Sequence, residues 1–221
     1  MTAGGPSSDP LEPAIAARAR RSGIDLTPAR ARALAAHARL LLAHNAVLHL
    51  TTITAPDEIV ERHIGEAFEG AALLPATISG TLVDLGSGNG YPGIPLALAR
   101  PGLVPVLAES NRRKASFLQD ALAAAGLDRG RVIAGSVQRA SDLTGCDEIT
   151  VLATRAMGGW ERIVPKLTSP LAHNGRVLLW AGAELATVLR RTAWRRLEIE
   201  SERVLPGRDT ARVACLRPKK I

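Results

Sequence analysis

Residues Thr81–Pro95 read TLVDLGSGNGYPGIP. An apolar strand closes on Asp84, then Gly86, Ser87, Gly88, Asn89 and Gly90 form a turn, and Pro92 and Pro95 open a helix. Alternating glycines leave no Cβ between the turn and whatever lies against it, and they take positive φ without strain. A helix behind such a turn aims unpaired N–H groups and the positive end of its dipole at the same spot. The segment therefore predicts close backbone approach to a ligand, with an anionic group near the helix start. The dinucleotide fingerprint G-x-G-x-x-G places its third glycine inside the helix. Here the spacing is G-x-G-x-G, and Gly90 falls one place early.

That spacing behind an aspartate resembles class I methyltransferases, which bind S-adenosyl-L-methionine (SAM). SAM carries a methionine carboxylate and ammonium instead of a pyrophosphate, and Asp84 with the turn amides would meet both charges. The next apolar run, Leu103–Ala108 (LVPVLA), ends in Glu109. In a doubly wound sheet the acid closing the second strand lies beside the end of the first and accepts ribose hydroxyls. Glu109 thus fits an adenosine cofactor, SAM or NAD alike.

The 221 residues suit one domain with an N-terminal extension. Hydrophobic residues make up 46% and aromatics only 3%, so Ala, Leu and Val must fill the core. The formal charge is +7, carried mainly by arginine, which favours a polyanion such as nucleic acid. Cys146 and Cys215 are isolated, which argues against a zinc site or a disulfide framework. No apolar run is long enough to span a membrane, and Met1–Pro10 lacks a signal-peptide core, so a soluble, cytoplasmic chain is expected.

Small and polar residues make 1–10 a disordered tail, 11–78 a helical extension and 79–221 the cofactor-binding core. Thr27-Pro28 reads as an N-cap with proline at the first helical position, opening a helix over Ala29–His44. A second helix is expected from Pro56 to Leu74, with Ile59, Val60, Ile64 and Phe68 on its apolar stripe. From Thr81 onward strands and helices alternate, the signature of a parallel sheet covered on both faces. The expected strands are Thr81–Leu85, Leu103–Ala108, Arg131–Gly135, Glu148–Ala153 and Gly175–Ala181. Arg195–Val204 and Arg212–Arg217 would add an antiparallel end, and Asn111–Ala125 is the clearest intervening helix. The fold class is thus α/β, Rossmann-like, with seven mainly parallel strands.

Beyond the glycines, the chain resembles the ribosomal small-subunit methyltransferase G family, also called glucose-inhibited division protein B. The family's DVGSGAGFPGIPLAI is matched by Asp84–Leu98, DLGSGNGYPGIPLAL. Its L-D-S, K-R and F-L are matched by Ala108-Glu109-Ser110, Arg113-Lys114 and Phe117-Leu118, and its S-R-A by Thr154-Arg155-Ala156. His44-Asn45 with His49-Leu50-Thr51-Thr52-Ile53, and Arg62-His63-Ile64-Gly65-Glu66-Ala67-Phe68, echo two upstream segments.

The resemblance implies methyl transfer from SAM to N7 of a guanine in 16S rRNA, on naked rRNA or the small ribosomal subunit, by a metal-free monomer. It implies that Gly86, Ser87, Gly88, Gly90 and Tyr91 line the SAM pocket, with Asp84 beside them. Glu109 would hold the ribose, and Val137 and Gln138 would flank the adenine. Arg155 would stand between cofactor and substrate, and Asn45, Arg62 and His63 would form the rim of the catalytic cleft. Three places depart from the family: His49 stands for Asn, Val137-Gln138 for Ala-Glu and Ala181 for the lysine of L-K-G, while Arg212 is the candidate for the family's C-terminal basic residue.

Guanine N7 carries a free lone pair and needs no deprotonation, so positioning and desolvation suffice. The Asn/Asp-Pro-Pro-aromatic motif of exocyclic-amine methylation is missing, since Thr154-Arg155-Ala156-Met157 stands there. Neither cysteine follows a proline, unlike the nucleophile of cytosine C5 enzymes. A SAM enzyme with another substrate, an NAD-dependent dehydrogenase and a non-catalytic RNA-binding module are the alternatives. Arg112-Arg113-Lys114 offers a phosphate-binding patch or a solvated face. Arg190, Arg191, Arg195 and Arg196 surround Trp194, for which a packed indole is expected over a stacking one.

Overall fold

The computed structural model describes residues 10–219 apart from 144, 147, 183 and 209, so positions 1–9 of the expected tail lie outside the described residues. The described strands are β1 (Ser79–Leu85), β2 (Gly102–Glu109), β3 (Arg131–Ala134), β4 (Ile149–Arg155), β5 (Leu171–Ala181), β6 (Leu197–Val204) and β7 (Arg212–Pro218). They form one sheet in the order β3-β2-β1-β4-β5-β7-β6. The first five run parallel, and β7 and β6 add antiparallel pairs. Leu82 to Leu85 and Val151 to Ala153 are buried without alternation, as expected of strands covered on both faces. The order reverses between β1 and β4, which opens a crevice at their carboxyl ends. Thr154 holds that end together, its hydroxyl donating to Leu85 O at 3.1 Å.

The sheet's outer edge is protected by charge. β6 exposes Ile199 and Val204, while Glu198 and Glu202 pair with Arg217 and Arg212 of β7, at 2.9 and 2.8 Å. Such charged cross-strand pairs discourage edge-to-edge association.

The extension is built of α1 (Leu11–Arg21), α2 (Pro28–Leu48) and a continuous helix over residues 56–71 whose middle, Ile59–Gly65, is π-helical. Thr27 caps α2, which continues four residues past the expected end and stops at His49, φ 47°. Leu34, Leu41, Ile64 and Phe68 share one buried cluster with Leu82, Ile94 and Leu107, so extension and sheet close over a common core. Helix α1 has no expected counterpart because its buried stripe contains an arginine. Arg18 is 2% exposed and sits between Ile15 and Ala19, neutralised by Glu69 at 2.9 Å and Glu61 at 3.1 Å.

The two basic segments sit in different surroundings. Arg112 and Arg113 are exposed at a helix start that Asn111 caps, accepting from the amides of Arg113 and Lys114. Trp194 is buried and donates its indole N–H to Glu161 O at 3.0 Å, which makes it a packing residue. No helix among the described residues is long and apolar enough to cross a membrane.

Candidate functional site

The glycine turn follows β1 directly. Gly86, Gly88 and Gly90 hold φ of 67°, 54° and 87°, the left-handed region that disfavours any side chain. Its amides, however, are largely spent inside the chain. Ser87 N–H donates to Ala108 O, Gly88 N–H to Glu109 Oε2 and Gly90 N–H to Ser87 O, at 3.0, 3.0 and 2.7 Å. At the start of the following helix, Gly93 N–H meets Asp84 Oδ2 at 3.0 Å. The anion expected at this helix start is therefore Asp84 itself, fully buried beneath the turn, and not a ligand group. Burial pushes its pKa up to about 7, against the pull of neighbouring donors, the Gly93 N–H among them. Gly90 also turns inward: a Cβ there would stand 2.8 Å from Ile94 Cδ1 and 3.0 Å from His37 Nε2.

Two cavities flank the turn. The smaller, about 190 Å³, is walled by Gly86, Glu109, Ser110, Gly135 to Gln138 and Met157. Glu109 spends one lone pair of Oε1 on Asn111 N–H at 2.7 Å and one of Oε2 on Gly88 N–H. A carboxylate offers about four such positions, so it retains acceptor capacity toward the cavity. Val137 is buried, and Gln138 is exposed with its backbone amide held by Asp142 at 2.9 Å.

The larger cavity, about 510 Å³, lies across the turn and is walled by residues 49–53, His63, Gly86 to Asn89, Tyr91, Arg155 and Ala156. Arg155, at the end of β4, donates to Arg62 O at 3.1 Å, to Glu66 Oε2 at 3.4 Å and to His63 Nδ1 at 3.1 Å. Ala156 after it holds φ 56°, which costs a non-glycine residue about 1–2 kcal/mol. Burial, helped by the Arg155 charge, lowers the His63 pKa to about 3, so the ring is neutral. Tyr91 is stacked between His37 and His63, with centroids at 4.5 and 4.9 Å. His37 is buried on the far side of that stack, donates Nε2–H to Asn89 O at 2.9 Å, and is lowered by burial to about pKa 4.

Asn45 does not line either cavity wall. Its Nδ2 donates to Thr51 O at 3.0 Å and its Oδ1 accepts Thr51 N–H at 2.9 Å, which clamps the loop after α2. His49 begins that loop in a left-handed conformation that asparagine and histidine both tolerate better than most residues, so this departure preserves the turn.

A third cavity of about 610 Å³ opens beyond Arg155, at the ends of β4 and β5. Arg62, Glu66, Met157, Trp160, Ala181 and Arg208 are among its lining residues. Arg212 pairs with Ala181 in the ladder and reaches Glu202, whereas Arg208, on the loop between β6 and β7, faces the cavity near Glu66 at 3.6 Å. Glu66, Arg208, Trp160 and His37 were not singled out from sequence. Glu66 alone left a signal, one helical turn after Arg62.

A family model described as rRNA small subunit methyltransferase G matches residues 30–205. A ribosomal RNA small subunit methyltransferase G from Alkalilimnicola ehrlichii is 35% identical over 176 residues, 80% of this chain and 77% of that protein. One from Sorangium cellulosum is 35% identical over 193 residues, 86% of this chain and 80% of that protein. Among solved structures, a ribosomal protein L11 methylase from Lactobacillus delbrueckii subsp. bulgaricus superposes with a TM-score of 0.60 at 16% identity, over 72% of this chain and 79% of that one. The mitomycin 7-O-methyltransferase MmcR gives 0.58 at 17% identity, over 96% of this chain and 74% of that one.

Proposed function

The chain belongs to the rRNA small subunit methyltransferase G family, and from that premise we propose that it methylates N7 of a guanine in 16S rRNA, with SAM as methyl donor. The observation that carries the reading is the positive-φ glycine turn between two cavities, with Glu109 on one side and Arg155 on the other. The residues present fit SAM. The cavity at Glu109 offers carboxylate acceptors for a ribose and, at Val137, an apolar surface for a flat base. Gly86 borders both cavities at φ 67°, and a Cβ there would stand 3.0 Å from Met157 Cγ, so glycine is the residue that fits this wall.

When bound, SAM supplies an electrophilic methyl group on its sulfonium. The chain's own residues bind, orient and exclude water. Glu109 and Val137-Gln138 hold the adenosine end, and Gly86 and Gly88 let backbone lie against it. Arg155, locked by three acceptors, fixes the wall between the cofactor side and the third cavity. The target guanine enters that third cavity, where Trp160 offers an aromatic face and Arg62 and Arg208 offer phosphate-binding charge. Arg208 brings to this wall a cation that Ala181 does not supply. No side chain needs to act as a general base, because the attacking nitrogen bears no proton.

The test is incorporation of labelled methyl from SAM into small ribosomal subunits and free 16S rRNA that lack the modification. Incorporation into rRNA supports the proposal. SAM binding without transfer to either substrate assigns the chain another acceptor.

A further inference from the structure

Three residues singled out for catalysis, Asn45, His63 and Arg155, converge on a fourth that was not, Thr51. Asn45 fixes the Thr51 backbone through both its N–H and its C=O, at 2.9 and 3.0 Å. The side chain is fixed by a proton count. Arginine has donors only, so the Arg155 contact at 3.1 Å requires a lone pair on His63 Nδ1. The ring is neutral, and its proton therefore sits on Nε2, which lies 2.9 Å from Thr51 Oγ1. Thr51 Oγ1 must accept that N–H. It also accepts Ile53 N–H at 3.0 Å. With both lone pairs used, the remaining tetrahedral direction belongs to the hydroxyl's own hydrogen, and that hydrogen has no acceptor among the described residues.

Thr51 lines the cavity on the side of the turn where SAM would place its methionine end, opposite Gly86 to Asn89. A carboxylate there needs donors, and the turn supplies few. The amides of Ser87, Gly88, Gly90 and Gly93 are spent, and the Ser87 hydroxyl donates to Asp84 O at 2.8 Å. Of the other hydroxyls on this wall, Thr52 is exposed and makes no fixed contact, and the Tyr91 hydroxyl, though unpartnered among the described residues, is buried away from the open space. Resting on the SAM reading above, we infer that Thr51 is a cofactor-binding residue whose hydroxyl donates to the methionine carboxylate of SAM. Arg155 and His63 act through it as positioning residues: they fix the imidazole tautomer, and the tautomer fixes the direction of the hydroxyl. The donor is held before the ligand arrives, so little ordering entropy is lost on binding.

Calorimetry with two ligands tests this. SAM carries the carboxylate, and 5′-methylthioadenosine keeps the adenosine and sulfur but lacks the amino-acid end. In Thr51→Val, which is isosteric, SAM affinity falls about ten- to a hundredfold, as for one hydrogen bond to a charged group, while methylthioadenosine affinity stays at the wild-type value. Thr51→Ser keeps the hydroxyl and stays within about threefold of wild type for both ligands. Thr51→Ala serves in place of valine if valine disturbs the loop. Unchanged SAM affinity in the hydroxyl-free variants, or equal losses for both ligands, overturns the assignment. A wild-type chain that binds neither ligand instead refutes the SAM reading on which it rests.

Discussion

Gly90→Ala isolates what the third glycine of the turn does. Two costs are legible in the structure. The first is conformational: φ at Gly90 is 87°, and left-handed backbone costs a residue with a Cβ about 1–2 kcal/mol. The second is steric. The new methyl would stand 2.8 Å from Ile94 Cδ1, 3.0 Å from His37 Nε2 and 3.1 Å from His37 Cε1. Neither neighbour can give way cheaply, because Ile94 is fully buried and His37 is pinned by Asn89 O and by its stack on Tyr91. Overpacking of this kind costs about 1–3 kcal/mol. Less about 0.4–1 kcal/mol gained by restricting the unfolded chain, the sum is about 1–4.5 kcal/mol, a large part of a small domain's stability. Gly23→Ala provides the control, since φ is 73° but no atom lies within 4 Å of its Cβ position. It carries the conformational cost alone, about 1 kcal/mol after the gain from restricting the unfolded chain. The assay is urea unfolding of both variants at constant m-value. Equal losses for Gly90→Ala and Gly23→Ala would refute the packing argument.

The remaining predictions concern charge and the cleft. His37 and His63 fall from 6.5 to about 4 and about 3 in the folded state, so their stabilisation is complete above pH 6.5 and is lost as pH falls toward 4 and 3 respectively; the loss reaches about 2 kcal/mol each by pH 5. Asp84, raised from 3.8 to about 7, acts in the opposite sense and adds about 2–3 kcal/mol as pH falls through 7 to 5. Asp84→Asn should therefore lose about 2–3 kcal/mol more than wild type between pH 8 and pH 5, and parallel stability profiles would contradict this. Arg155→Gln should abolish methyl transfer with the secondary structure intact and cost about 3 kcal/mol, the low end for a broken buried pair, since Arg208 remains 3.6 Å from Glu66. Arg155→Lys should not restore transfer, because an ammonium cannot reproduce three contacts made by a planar fork; full activity in either variant would remove Arg155 from the site. Gly86→Asp should abolish SAM binding by placing a carboxylate between the two cavities against Met157, and unchanged affinity in calorimetry would refute it.

What the residue string reveals and conceals follows physical lines. The sheet was legible because β1, β2 and β4 are continuous apolar runs closed by turn residues, so tertiary context only lengthened them by a residue or two. The α1 helix was hidden because burying Arg18 against Glu61 and Glu69 breaks the apolar period, and those acids lie far along the chain. At the site, Glu109 and Val137-Gln138 meet in one cavity as their strand-end positions imply. Asp84, Gly90 and Asn45 were read as facing the ligand, and each turns inward to hold the turn or the loop. A spacing pattern marks where backbone must be unusual, but not whether a polar atom is already spent within the chain. Thr51 is the converse: one of the two hydrogen bonds that commit its lone pairs depends on the imidazole tautomer of His63, and no pattern in one dimension encodes that.

The central claim is best tested by digesting 16S rRNA after reaction with the purified chain and SAM and identifying the methylated nucleoside by mass spectrometry. The account predicts 7-methylguanosine, formed by the wild type and lost in Arg155→Gln. A different methylated nucleoside, or none from a chain that binds SAM, would contradict it.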